Sequence, residues 1–361
     1  MMKSRNVKDL LSGQKSLIGL ATAVSLATLT LAAAQAEEAT YFTWSGYDVP
    51  QMYQTYIDTR GAEPRATVFA DQEEALQKMR VGFDVDVLHP CIEAVPRFIE
   101  SGELKPIDTS RLKHWKNLFP GLQNMPNVDA GDGKVWFVPV DWGNTSVIYR
   151  TDLVEGTPDS YAMMWDPKYK GRIASGNSPE QTAFIAAAYA GLDPTNLSDE
   201  DMVVLRKTLQ DLNKNIRFYW SDPTELEQAL ASGEIVASTG WNASISALRG
   251  QDVPVAFMEP KEGVLTWVCG LAMDKDSKND EAAYALMDAI TSPENGVFLL
   301  GDYGYGHSNK ASFEKVDDAT LAAVGLPRDP SALLSKGWPP TAQLDRIPEV
   351  QQMFEEVKAG L

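Results

Sequence analysis

At 361 residues, the chain is long enough for two domains of ordinary size. Its 50 acidic residues against 32 basic ones give a formal charge of −18, which argues against nucleic acid and against anionic lipid surfaces as partners. With two cysteines, three histidines and no CxxC or HExxH spacing, a histidine-built metal site would need most of the supply, so no metal and no cofactor are expected.

Lys3, Arg5, Lys8 and Lys15 stand against a single Asp9 at the N-terminus, and an uncharged run of apolar and small residues, SLIGLATAVSLATLTLAAA, follows. Ala34-Gln35-Ala36 has the small-residue pattern of a cleavage site, so residues 1–36 read as a secretory signal peptide cut after Ala36. No cysteine lies near the cut to carry a lipid, and no later stretch has the uninterrupted apolar length of a membrane span. The expectation is an exported, soluble chain of about 325 residues with a net charge near −21, residing in the periplasm of a bacterium with two membranes.

The mature chain opens with ATYFTWSGY, a β-rich run ending at a Ser-Gly turn, then PQMYQTYIDTRG with helical spacing and a glycine stop. ATVFA reads as a strand, DQEEALQKMRVG as a helix capped by Asp71 and stopped by Gly82, and FDVDVLHP as a third strand. This β-α-β-α-β order predicts a parallel sheet covered by helices. A similar unit returns about 150 residues later: strand RFYWS, helix DPTELEQALASG and strand EIVASTGW, with Asn242 placed to cap the helix after it. Two lobes of like construction follow. VWFVPVDWGNTSVIYR and GVLTWVCGLAM are candidate crossings between them, and no flexible linker separates the halves. The boundaries expected are 37–145 plus about 270–308 for the first lobe, and about 146–269 plus 309–361 for the second.

In the second crossing, Trp267 and Cys269 are two apart on a strand and so share a face, either core or pocket lining. Other predicted strand ends carry similar residues: Trp44, Ser45 and Tyr47; His89 and Cys91; Asp141 and Trp142; Trp241. Tyr303 and Tyr305 lie in a glycine-rich loop. In a two-lobed α/β protein the strand ends would meet in one cleft. Aromatic faces beside small polar groups suit an organic cation or an alkyl chain.

The stretches YFTWSGY, FDVDVLHP, GELKPIDTSRLKHWKNL, VPVDWGNTSVIY, MWDPKYKGRI, STGWNASI, PKEGVLTWVCGLAMDKDSKNDEAAYALMDAI and YGYGHSNKAS give the chain, from about Thr40 to the C-terminus, a resemblance to the periplasmic polyamine-binding proteins, the substrate-binding subunits of ABC importers for spermidine and putrescine. The resemblance implies an α/β type II periplasmic binding fold: two α/β lobes joined by hinge strands with a ligand cleft between them. It implies a monomeric receptor, not an enzyme, with a small-molecule solute and an inner-membrane ABC permease as partners. Position by position, Trp44, Ser45 and Tyr47 match the family's first aromatic cluster, Trp241 its second-lobe tryptophan, Trp267 the aromatic of the second crossing, and Tyr305 a late tyrosine that touches the ligand amine. Trp142 joins them as a further aromatic on the first crossing.

The chain departs from the family where the family holds its amines. An aspartate is replaced by Cys269, a helix-start glutamate by Gln181 (a one-residue slip puts Glu180 there), a second-lobe aspartate by Ser244, and a serine by Cys91. An ammonium buried without a carboxylate costs several kcal/mol, so other acids must take over, with Glu93, Asp141, Glu180 and Asp48 as candidates, or the solute must be zwitterionic, quaternary or non-cationic. Cys91 and Cys269 either bridge or line the pocket, and in the second case Cys269→Asp is expected to raise affinity for diamines. Two other readings stand apart. An exported enzyme would need a nucleophile and base; Cys91 with His89 is suggestive, but no G-x-S-x-G elbow is present. A metal receptor would use Tyr303 and Tyr305, which are not adjacent.

Overall fold

The computed structural model describes residues 38–324, 326–329, 331 and 337–361; the expected signal peptide lies outside the described residues. The opening unit folds in the expected order. Strand Thr40–Trp44 lies between Arg65–Phe69 and Val87–Leu88, parallel to both. Helix Gln72–Arg80 is capped by Asp71, whose carboxylate accepts from Glu74 N; a cap of this type contributes about 1 kcal/mol. The third strand is only two residues long. Asp86 turns its carboxylate back onto the N–H and hydroxyl of Thr40, at 2.9 and 3.0 Å.

The later unit repeats the construction. Strands Ile216–Trp220 and Ala237–Trp241 flank Ile173–Gly176, all parallel. Helix Pro223–Ser232 is capped by Asp222 and ends at Gly233, which takes the left-handed conformation at φ 75°. Two long strands join the units. Val138–Arg150 pairs antiparallel with Ala237–Trp241 through its second half, and Leu265–Asp274 pairs antiparallel with Val87–Leu88 near its end. The two also pair with each other, from Leu265 opposite Thr145 to Leu271 opposite Val138. The sheet therefore runs, by strand, 216–220, 173–176, 237–241, 138–150, 265–274, 87–88, 40–44, 65–69.

Burial shows where the halves divide. Trp142 belongs to the first core, with Tyr41, Phe42 and Leu88, whereas Val147 belongs to a second core with Ile173 and Ile185. Between them the chain reads Gly143-Asn144-Thr145-Ser146, with no apolar side chain to anchor it in either core. On the returning strand the change falls between Leu265, packed on the second half, and Val268 in the first core. The fold is thus a two-lobed α/β architecture with strand hinges. One expected boundary is corrected. Phe313, Val316, Leu321 and Leu326 pack into the first core, while Leu344, Val350 and Phe354 pack into the second half. The chain returns to the second lobe after Leu326 rather than at 309. It does so through Gly337–Trp338, which bridges to the returning strand as Trp338 N donates to Val264 O.

Candidate functional site

Trp267 pairs across the hinge with Gly143. A Cβ at position 143 would fall inside the indole and 2.6 Å from Asn242 Oδ1, so the missing side chain is what lets the ring lie over the hinge backbone. Tyr305 meets that ring edge-on, with centroids 4.9 Å apart and planes at 88°. Burial holds the Tyr305 hydroxyl protonated far above its ordinary range, and the Asp141 charge adds to that. Gly143→Ala is expected to displace Trp267 or Asn242 and to cost about 1–3 kcal/mol of stability, the usual range for overpacking; urea denaturation, with tryptophan fluorescence reporting the indole, measures both.

Asn242 does not cap its helix as expected. It is the helix's first residue, and the N-cap position falls on Trp241 without a side-chain bond. Its amide instead ties three segments together: Oδ1 accepts from Asn144 N at 3.0 Å and Nδ2 donates to Gly304 O at 2.6 Å. The tyrosine loop is thereby fastened to the hinge.

Beside Trp267 lies a cavity of about 80 Å³. Thr145, Leu265, Thr266 and Trp267 of the hinge strands line it, with Glu180, Gln181 and Phe184 at the start of helix Pro179–Tyr189, Glu93 from the first lobe, and the strap from Trp338 to Leu344. Glu93 accepts from Gln72 Nε2 at 2.8 Å. Burial pushes its carboxyl up to about 7; the hydrogen bond from Gln72 and the charge of Arg97 oppose that, and the charge of Glu180 reinforces it. Glu180 is likewise raised by burial, against the pull of Arg97. The indole N–H of Trp267 is buried without a hydrogen-bond partner.

Of the residues expected to form the site, Glu93, Gln181 and Trp267 line this cavity, and Tyr305 backs Trp267. Tyr47 joins the same chain of rings, 5.7 Å from Tyr303, which lies 6.2 Å from Tyr305; the others do not line the cavity. Trp142 is fully buried in the first core, its ring against Gly306. Trp44 packs edge-on against Phe69 with centroids 4.5 Å apart, and Trp241 packs on Trp220 at 5.2 Å. Ser45 is exposed. Ser244 is buried, in hydrogen-bond contact with Glu227. Tyr47 donates to Asp141 Oδ2 at 2.5 Å, and His89 Nε2 lies 3.1 Å from Asp141 Oδ1, so Asp141 is engaged inside the first lobe. Asp48 is exposed at a turn, where it accepts from Gly46 N.

Cys91 and Cys269 form a disulfide. They face each other between two backbone bonds, Ile92 N to Val268 O and Gly270 N to Pro90 O, both 2.9 Å. This is the non-hydrogen-bonded type of antiparallel pair, in which side chains approach most closely. The bridge removes Cys91 as a nucleophile. Among the described residues no group of three or more His, Cys, Asp or Glu side chains could hold a metal. The strap residues Trp338, Pro339 and Pro340 were missed from sequence. Their signal was a tryptophan followed by two prolines, a rigid aromatic turn, but it stood outside the strand ends.

Two α/β lobes on strand hinges, with a cavity that both lobes, both hinges and a return strap border, are the construction of a type II periplasmic binding protein. The chain belongs to the bacterial extracellular solute-binding protein family, whose model matches residues 66–324. Proteins of this family bind small-molecule solutes and interact with ABC permeases. The chain is 27% identical over 363 residues to the putrescine-binding periplasmic protein PotF of Escherichia coli K12, covering 95% of this chain and 96% of that protein. Its fold is similar to a putative spermidine/putrescine ABC transporter structure from Listeria monocytogenes, with a TM-score of 0.80 at 19% identity, covering 90% of this chain and 99% of that one. It is also similar to MotA of A. tumefaciens B6, solved with glucopine, with a TM-score of 0.71 at 15% identity, covering 89% and 100%. No helix among the described residues is long and apolar enough to cross a membrane.

Proposed function

We propose that the protein is exported to the periplasm with cleavage after Ala36, captures a small amine-type solute between its lobes as a monomer, and delivers it to an inner-membrane ABC permease. The observation that carries the amine is the cavity itself: its charged lining residues among those described are Glu93 and Glu180, and Trp267 lines it with them. Buried carboxylates attract a cation, and an indole face adds to that attraction. Lobe closure over the solute would give the permease a form to recognise. The relatives named for putrescine and spermidine agree with this reading.

The test is a thermal-shift screen of primary amines, diamines, betaines, amino acids and organic acids on the mature chain. A solute at one hundred times its dissociation constant stabilises the folded form by about 2.7 kcal/mol. Primary amines are expected to raise the melting temperature. A response confined to organic acids or neutral solutes would overturn the amine assignment while leaving the receptor fold intact.

A further inference from the structure

We infer that Glu93 and Glu180, one from each lobe, form a clamp for a single hydrogen-bond-donating cation, a primary ammonium or guanidinium head group, whose uncharged tail lies along Phe184 and the Trp338–Pro339 strap. The inference rests on the amine-receptor reading and narrows it to a head group, a location and a tail.

Glu93 follows strand Val87–Leu88 and sits among first-core residues Ile92 and Ala94. Glu180 lies in the first turn of helix Pro179–Tyr189, whose N-cap Ser178 accepts from Gln181 N. Both reach the same cavity from opposite sides of the hinge. Two carboxylates brought together by closure repel each other, and burial adds to the cost of keeping both ionised. A proton or a bound cation relieves that cost, and only the cation is a cargo. The lining also carries apolar side chains, Phe184, Leu265, Trp338 and Pro339. With both acids engaged by one head group, no third carboxylate lines the cavity among the described residues, so a second cationic end would have no acid to meet.

The need for N–H donors follows from the acceptors. Glu93 accepts from Gln72 Nε2 and from its own backbone N–H, and it lines the cavity with acceptor capacity to spare. Half-buried carboxylates need donated protons as well as positive charge. A trimethylammonium group has no N–H to give and is too bulky to approach both acids.

The groups that act on Glu93 are Gln72, Arg97 and Glu180, and those that act on Glu180 are Arg97, Asp71 and Glu73. With Glu93 raised to about 7, it is largely protonated in the solute-free form below that pH. A cation binds the ionised form, so affinity should rise as pH climbs from 5.5 through 7 and level off above it.

The experiment is titration calorimetry of the mature chain with n-butylamine, n-butylguanidine and n-butyltrimethylammonium at pH 5.5 to 8.5, repeated with Glu93→Gln and Glu180→Gln. The first two solutes are expected to bind and the third to fail. Each substitution should weaken ammonium binding at least about ten-fold, equal to about 1.4 kcal/mol, and Glu93→Gln should flatten the pH profile. Circular dichroism melts confirm that the variants are folded; glutamine at a site that disfavours charge should not lower their stability. Wild-type affinity in both variants, or equal binding of the trimethylammonium salt, overturns the clamp alone. If the wild type binds no amine while another solute class binds, the amine reading falls, and the clamp with it.

Discussion

Reduction of the Cys91–Cys269 bridge is expected to lower the unfolding free energy by about 3–5 kcal/mol. The two residues are 178 apart in sequence, so the bridge closes a very long loop in the unfolded chain, and loop-closure entropy grows with the logarithm of that length. The folded side of the balance changes less. Ile92 N to Val268 O and Gly270 N to Pro90 O still hold the segments together when the sulfur bond is cut. Most of the effect should therefore appear as a lower urea midpoint with the slope changed by the larger unfolded state. Cys91→Ser with Cys269→Ser should reproduce it without reductant. An unchanged midpoint in both experiments would show that the bridge adds nothing to stability. The pairing also reverses the expected outcome of Cys269→Asp. That substitution breaks the bridge, frees Cys91, and sets a carboxylate directly across the strand pair from Asp141, where like charges repel. It should lose stability and not gain diamine affinity.

The fold was largely legible because its signals are local. Asp71 and Asp222 cap the helices they precede in sequence, and the repeated β-α-β order names the sheet before any contact is known. The hinge was legible too, since Gly143-Asn144-Thr145-Ser146 interrupts an otherwise apolar strand. The site was less so, because a site depends on which face a residue turns to and on what has already claimed it. Asp141 and Glu93 look alike in sequence, each an acid beside a strand end. Tyr47 and His89 engage the first, while the second is left facing a cavity. Trp142 and Trp267 likewise sit on paired hinge strands. Gly306 makes room for Trp142 within the first core, and Gly143 makes room for Trp267 beside the cavity. The expected boundary at 309 failed for a related reason: nothing in the spacing of Phe313, Val316 and Leu321 says which lobe their apolar face will meet.

Loss of the Asp141 carboxylate should be among the most destabilising single changes in the first lobe. The side chain is 1% exposed and accepts from Tyr47 on one oxygen, with His89 Nε2 against the other. Tyr41 Oη and Thr43 Oγ1 complete the set, at 3.0 and 2.9 Å from His89 Nδ1. An imidazole carrying its proton on Nε2 gives to Asp141, and the single lone pair of Nδ1 accepts from one of the two hydroxyls at a time. The network joins the first strand, the turn after it, the end of the third strand and the hinge. Burial, and next the Asp141 charge, keep the Tyr47 hydroxyl protonated well above its ordinary range, so it stays a donor. Asp141→Ala strands both the tyrosine and the histidine in a dry interior, and a broken buried pair of this kind costs about 3–5 kcal/mol. Tyr47→Phe removes one donor and leaves the carboxylate its histidine, for a cost of about 1.5–3 kcal/mol. The double variant should fall short of the sum, because the hydroxyl that Asp141→Ala strands is no longer there to be stranded. Chemical denaturation of the four proteins measures the cycle. Strict additivity, or a cost below about 1 kcal/mol for Asp141→Ala, would mean that the hinge is held by packing around Trp142 and not by this buried chain of hydrogen bonds.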